Sequence, residues 1–355
     1  MDYHLLRHLK RREDLGLSAI LLNEGMLADK IRELGIPVNV IEESGRSFYQ
    51  LVRDAGGVLD LESPDILHSH RYKENILAYL SSRRRNGIRL VGTQHGLPES
   101  FGTSQNRKYR LLHRLNISLV MKSFAKVIAV SGDIRKSFIE RFGFPGDRID
   151  VIHNGTDLPE GSPAAMRRDD FVIGSMGRIF PVKDFPLMVE IAREVRRETD
   201  RIRFELAGDG PDRGKVQELV DRYGLGDAFR LRGFVDDLAG FYRGIDLYLS
   251  TSLHEGIPIS VLDAMSHAIP VVAPNVGGMK EILEDGSEGY LVDGRDPKTF
   301  ARKCLDLYRS GGLRQAMGSS ARNKVEKEFS NECMANAYHR LYLEIARVSG
   351  NGVHA

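Results

Sequence analysis

Two short segments of the sequence place charged side chains where they could handle a phosphorylated ligand. In GSMGRIFPVKDFP, residues 174–186, a strand pattern ends at Gly177 and a helix is predicted to begin near Asp184. Asp184 reads as the N-cap and Pro186 as the residue just inside it. Lys183 therefore stands beside the positive end of a helix dipole, where a cation is normally unwelcome, and Arg178 shares its loop. A bound anion such as a diphosphate would satisfy both cations, whereas the plain alternative is a pair of exposed loop charges. In STSLHEGIPISVLDAMSHAIPVVAPNVGGMKEIL, residues 250–283, Glu255, Gly256 and Pro258 form a loop that leads directly into a helix. Asp263 is placed in that helix's first turn. Two acids around a glycine turn could hold hydroxyl groups while backbone N–H groups face phosphate. The alternative is a capping box over Ser260 and Asp263, with Glu255 merely solvated.

Three further signals are weaker. LAGDGPD at 206–212 puts glycines after a strand without the G-x-G-x-x-G spacing, so it reads as a tight turn near a ligand and not as a dinucleotide fingerprint. His68 and His70 alternate on a strand end and are expected on opposite faces. His95, in GTQHGLPES, ends the next strand and is the best histidine for contacting a reacting sugar or phosphate, a structural histidine being the commoner outcome. No metal site is expected, because no nearby cysteine or acid completes a ligand spacing.

The elements that must position these residues alternate between short β-rich runs and helical patterns, which predicts parallel sheets covered by helices. In open α/β sheets ligands bind beyond the carboxyl ends of the strands, and most of the unusual chemistry falls there. Residues 153–169 collect Asn, Gly, Pro and Ser and read as a linker. The expected organisation is a first Rossmann-like domain over 1–157, a second over 158–330 and a last helix within 331–355, with a cleft between the domains as the site.

Composition narrows the function classes. Hydrophobic residues make up 41% and charged residues 28%, an ordinary balance for a soluble enzyme. The two cysteines, Cys304 and Cys333, argue against a disulfide scaffold and for a reducing cytoplasm. Neither a membrane-spanning run nor a signal-peptide pattern is evident. Formal charge is +2 but uneven: residues 83–126 hold ten basic residues and one acid, Glu99. That stretch reads as a solvated basic face, or more sharply as a patch for an anionic membrane or a phosphate-bearing acceptor. Nucleic acid is disfavoured, since aromatic residues are not regularly interleaved with the charges.

Together these residues resemble the retaining glycosyltransferases of family 4, which have the GT-B architecture of two Rossmann-like domains. The likeness is carried by G-R-x(4)-K at 177–183, GDGP at 208–211, E-G-I-P-x(4)-D-A-M at 255–265 and PNVGGMKEIL at 274–283. VIHNGTD at 151–157 is similar to the interdomain hinge, and the likeness extends over residues 1–347. It implies an α/β fold whose domains face across a cleft, with the last helix crossing back to the first domain. The function it implies is transfer of a sugar from a nucleotide-sugar, UDP ahead of GDP, to a glycan or lipid-linked acceptor, without a metal or other cofactor. Arg178 and Lys183 would neutralise the donor diphosphate, with Gly177 in the same loop. Glu255 would contact the donor sugar, helped by the backbone of Gly256, Ile257, Pro258 and Ile259. Asp263 would hold the ribose, Phe234, Val235 and Asp236 would meet the base, and His95 would lie near the transferred sugar. Polysaccharide or cell-envelope biosynthesis at the cytoplasmic face of a membrane, reached through 83–126, is the expected setting, with loops 43–49 and 95–106 deciding the acceptor.

Two departures qualify the match. Asp263 stands where the family usually has glutamate, and the apolar strand and glycine-rich loop that usually precede the helix matching residues 2–12 are absent. That pattern suggests an N-terminally shortened and less active chain, and it keeps a non-catalytic nucleotide-sugar-binding protein in view. A UDP-sugar 2-epimerase of the same architecture fits the Arg178/Lys183 and Glu255/Asp263 pattern less well.

Overall fold

The computed structural model describes residues 2–96, 116–159 and 170–350. The chain divides into two compact units. One runs as far as Asn154 and resumes at Asn331; the other is Gly155–Ser330. The predicted strand–helix alternation is present in both.

In the Gly155–Ser330 unit, six strands form one parallel sheet: β7 Phe171–Met176, β8 Ile202–Ala207, β9 Phe229–Gly233, β10 Leu247–Leu249, β11 Val271–Pro274 and β12 Gly289–Val292. Their order is β12-β11-β10-β7-β8-β9. The chain thus builds outward from β7 through β8 and β9, then returns to the other side of β7 for β10, β11 and β12. The reversal leaves a crevice between the carboxyl ends of β7 and β10, the topological switch point where such sheets bind ligands. Both faces are covered, which is why FVIGSM and VVAP read as apolar runs without alternation. One face carries Phe185–Arg196, Arg213–Arg222 and Pro297–Arg309, and Leu238–Arg243 and Ile259–Ser266 cover the other; Gly311–Glu328 packs Leu313 and Met317 with the first group and Ala321 and Val325 with the second. Phe185–Arg196 alone buries seven apolar side chains, from Phe185 to Val195. At ~1.5–3 kcal/mol each, that face contributes more than about 10 kcal/mol of gross burial energy, ample to hold the helix start that the site needs.

The other unit contains two parallel sheets among its described residues. β1 Ala19–Leu21 pairs with β2 Val38–Val40, and β3 Ile66–Ser69, β4 Arg89–Gln94, β5 Lys126–Ala129 and β6 Ile149–Val151 pair in that order. The helix Asn331–Gly350 lays Met334, Ala335, Tyr338, Leu341 and Ile345 against Leu5, Leu9, Val91, Ile128 and Ile152. Half of the predicted helix over 107–124, and much of the linker over 153–169, lie outside the described residues; residues 116–123 are helical.

Two local expectations are corrected. Asp184 does occupy the N-cap position of Phe185–Arg196, but its backbone is left-handed (φ 45°) and its carboxylate makes no capping bond. It pairs with Arg295 instead. His68 and His70 do not point apart: their rings lie 4.3 Å centroid to centroid. The strand ends at Ser69, so the alternation that governs a strand no longer applies at His70.

Candidate active site

At the switch point, β7 gives way to Gly177, whose φ of +159° is extended backbone. The loop that follows is held backbone against backbone by the loop after β8. Ile179 donates its N–H to the Asp209 carbonyl (2.9 Å), and Asp212 donates to the Ile179 carbonyl (3.2 Å). This approach is close enough to require glycine. A Cβ on Gly208 would stand 2.0 Å from the Gly177 oxygen, and one on Gly210 would stand 2.3 Å from the Ile179 oxygen. GDGP is therefore a brace for the Gly177–Phe180 loop, where the sequence suggested a turn near a ligand. Within that loop the Arg178 guanidinium lies over the Phe180 ring at 5.2 Å.

Lys183 ends a short 3-10 turn, Pro181–Lys183, and its ammonium reaches the loop after β10. Its Nζ is 2.6 Å from Glu255 Oε1, and both side chains are largely buried. Ser252 donates its hydroxyl to the same carboxylate oxygen at 2.6 Å. Burial is the largest influence on Lys183 and opposes its charge. Attraction and hydrogen bonding to Glu255 outweigh burial, so the pKa ends above the ordinary lysine value and the group stays cationic. A charged lysine and a carboxylate thus meet at the mouth of the sheet.

The backbone around this pair is fixed from three sides. Thr251 donates its hydroxyl to the Lys183 carbonyl (2.9 Å), and Leu253 donates its N–H to the Val182 carbonyl (2.8 Å). Gly278 donates its N–H to the Glu255 carbonyl (3.0 Å); Gly277, in the left-handed region at φ +52°, would drive a Cβ to 2.1 Å from that same oxygen. Arg295 closes the arrangement. Its guanidinium donates to the carbonyls of Thr251 and Ser252 and pairs with the Asp184 carboxylate. Sequence reading passed over Arg295, which follows β12 in GRDP. Its one visible signal was its place after the last strand of the sheet.

Gly256, Ile257 and Pro258 carry the chain into Ile259–Ser266, whose N-cap is Pro258 with no side-chain cap. Ser260 is thus inside the helix and no capping box forms. The uncapped N-terminus presents backbone N–H groups of the kind that receive phosphate. Asp263 lies one position beyond the first turn, a correction to its predicted place, and its carboxylate accepts the Thr156 hydroxyl bond. After β9, Phe234 is 78% exposed, while Val235 packs on the core beneath and Asp236 accepts a turn hydrogen bond from the Leu238 N–H. An exposed aromatic ring is a surface on which a base can stack.

His95 belongs to the first unit, just past β4. Its Nε2 is 3.3 Å from His70 Nδ1, and the two rings stack at 5.6 Å. Burial, then the neighbouring His70, lowers its pKa to about 4. Both nitrogens of His68 are committed, Nδ1 with the Tyr342 hydroxyl (2.6 Å) and Nε2 with the Thr93 hydroxyl (2.8 Å). The structure therefore draws Lys183 and Glu255 into direct contact, braces Gly177 and Arg178 beside them, and places His95 in a histidine group of the first unit.

Comparison with known proteins matches this geometry to one family. Residues 3–160 match the model for Glycosyltransferase Family 4, and residues 163–324 match the model for Glycosyl transferases group 1. The D-inositol 3-phosphate glycosyltransferase of Frankia alni is 30% identical over 283 residues, 72% of this chain and 69% of that one. The chain belongs to the family 4, group 1 glycosyltransferases. Another relative is the UDP-Gal:alpha-D-GlcNAc-diphosphoundecaprenol alpha-1,3-galactosyltransferase of Escherichia coli, 23% identical over 346 residues and 88% of each chain. In fold the chain is similar to HepE of Anabaena, solved with UDP and glucose, with a TM-score of 0.82 and 21% identity over 96% of this chain and 94% of that one. The fold is accordingly GT-B, and the chain is an enzyme that transfers glycosyl groups. Residues 97–106 of the predicted loop 95–106 and part of the basic stretch 83–126 lie outside the described residues of this glycosyltransferase. In the part described, Arg85 is bound to Asp60 and Lys126 to Asp150, whereas Arg83 and Arg84 are exposed. Among the described residues no helix is long and apolar enough to cross a membrane.

Proposed function

We propose that this glycosyltransferase takes its sugar from a UDP-sugar and delivers it, with retention of anomeric configuration, to a glycan or lipid-linked acceptor. The observation that carries the reading is the buried Lys183–Glu255 pair at the switch point, beside Arg178 and the uncapped start of Ile259–Ser266. As the sugar–phosphate bond breaks, negative charge grows on the departing diphosphate. Lys183, Arg178 and the N–H groups of the helix start stabilise that charge without reorganising, because the Arg295 tie and the glycine braces already fix them. Glu255 contacts the sugar hydroxyls, Asp263 with Thr156 holds the ribose, and Phe234 stacks on the base. His95 stands by the transferred sugar. No step in this scheme draws on a metal. Arg83 and Arg84 bring the enzyme to an anionic membrane surface at the cytoplasmic face, where a lipid-linked acceptor would lie.

The test is nucleotide release from UDP-, GDP- and ADP-sugars with acceptor mixtures, comparing the native chain with Lys183→Ala. Release from UDP-sugars, reduced at least about 100-fold by the substitution, is expected. Release from a GDP- or ADP-sugar alone would overturn the donor assignment, and undiminished turnover in the variant would overturn the role of Lys183.

A further inference from the structure

We propose that Asp2, His70 and His95 form a binding site for a divalent transition-metal ion of the zinc class. The topology builds the site. β3 and β4 are parallel neighbours, with His68 opposite Val91 and Ser69 opposite Gly92, so His70 and His95 both arrive just past the same sheet edge. Asp2, the first residue of the helix Asp2–Leu9, supplies the acid that sequence spacing could not reveal. His70 Nδ1 lies 3.3 Å from His95 Nε2 and 3.4 Å from Asp2 Oδ1. One ligand atom from each of the three residues falls within 4.8 Å of the others. An ion bound tetrahedrally at about 2.0–2.1 Å holds its ligand atoms about 3.3 Å apart, so this spacing needs little adjustment.

The chemistry of the donors agrees. Two imidazoles and a carboxylate suit zinc, cobalt or nickel, and they suit calcium or magnesium poorly. Ligation needs neutral imidazoles. Burial, the largest influence on both rings, lowers the pKa of His70 and of His95. His68 stacks against His70 as a fixed wall: its nitrogens are held by Tyr342 and Thr93, and the Thr93 hydroxyl in turn meets the Tyr338 hydroxyl at 3.0 Å. Such a hydrogen-bonded support keeps a ligating side chain in one orientation. Three protein ligands leave a fourth position open.

The site shares His95 with the proposed sugar-transfer reading, and it is tested with the metal alone so that its failure is distinguishable from failure of that reading. The full chain, stripped with chelator, is titrated with cobalt(II) and read by its visible ligand-field bands, then challenged with zinc(II). Native protein is expected to take up one cobalt per chain with the intense bands of low coordination, and zinc should displace it. His70→Ala should abolish the bands, and Asp2→Asn, at a half-exposed position, should weaken binding at least tenfold. Absence of bands in the native chain would overturn the site, as would binding unchanged in Asp2→Asn. If His70→Ala loses its native circular dichroism, the Asp2→Asn titration decides.

Discussion

At the scale of single residues, the site depends as much on side chains that are missing as on those present. Gly208, Gly210 and Gly277 stand where any Cβ would enter a backbone carbonyl. Gly208→Ala should therefore destabilise the second unit by about 2–3 kcal/mol and lower Tm by several degrees, measurable by calorimetry. Arg295→Ala tests the complementary effect. It leaves the Thr251 and Ser252 carbonyls and Asp184 without their shared partner, and kcat/KM should fall about 10–100-fold while the circular dichroism stays native. Arg295→Lys should recover little, since an ammonium cannot span three acceptors in one plane. Lys183, Arg178 and Glu255 were legible because charged residues in loops after strands are conspicuous in sequence. Arg295 was not, because its partners are backbone carbonyls and an acid far away in sequence. The histidines add a pH effect. His68, His70 and His95 are held neutral by burial, so the folded state resists protons that the unfolded chain accepts below about pH 6.5. Stability should be complete above that pH and decline as pH falls toward 4, by up to about 1.4 kcal/mol per unit for each histidine. Urea unfolding in the presence of chelator across this range would measure it.

Among the elements, the strands of the two units are uneven in their support. β7, β10 and β11 are almost wholly buried, while β1 and β2 of the first unit are three residues each and only half-buried. Amide exchange should therefore open β1 and β2 well before β4, β5 and β7, and equal protection across these strands would contradict the split between the two sheets of the first unit. Strand and helix identities were readable from periodicity, and GT-B followed from the motifs. Sheet order was not readable: neighbouring β7 and β10 are separated by two complete strand–helix units. The mistake over His68 and His70 has the same origin, since alternation predicts faces only while the strand lasts. Asp184 misled for a different reason. Its sequence context is that of a cap, but Arg295 competes for its carboxylate and prevails.

For the molecule as a whole, net charge understates local charge and local sequence overstates it. Of the basic residues between 83 and 126, Arg85 and Lys126 are already neutralised by Asp60 and Asp150. Membrane attraction proposed for this stretch thus draws, among the described residues, on exposed cations that include Arg83, Arg84 and Lys122. Joint replacement of Arg83 and Arg84 by alanine should weaken co-sedimentation with anionic vesicles by about 1 kcal/mol per charge, with the remainder fading as salt is raised. Unchanged sedimentation would place the attraction elsewhere. The two cysteines carry a separate consequence. Cys304 is fully buried on the second unit's core, and burial followed by nearby Asp306 holds its thiol protonated far above the usual range. Cys333 is partly exposed and sits two residues after Asn331, where the chain re-enters the first unit. A maleimide dye added to the native protein should attach at Cys333 alone, giving the enzyme a single fluorescent reporter at its inter-unit crossing without any engineered cysteine.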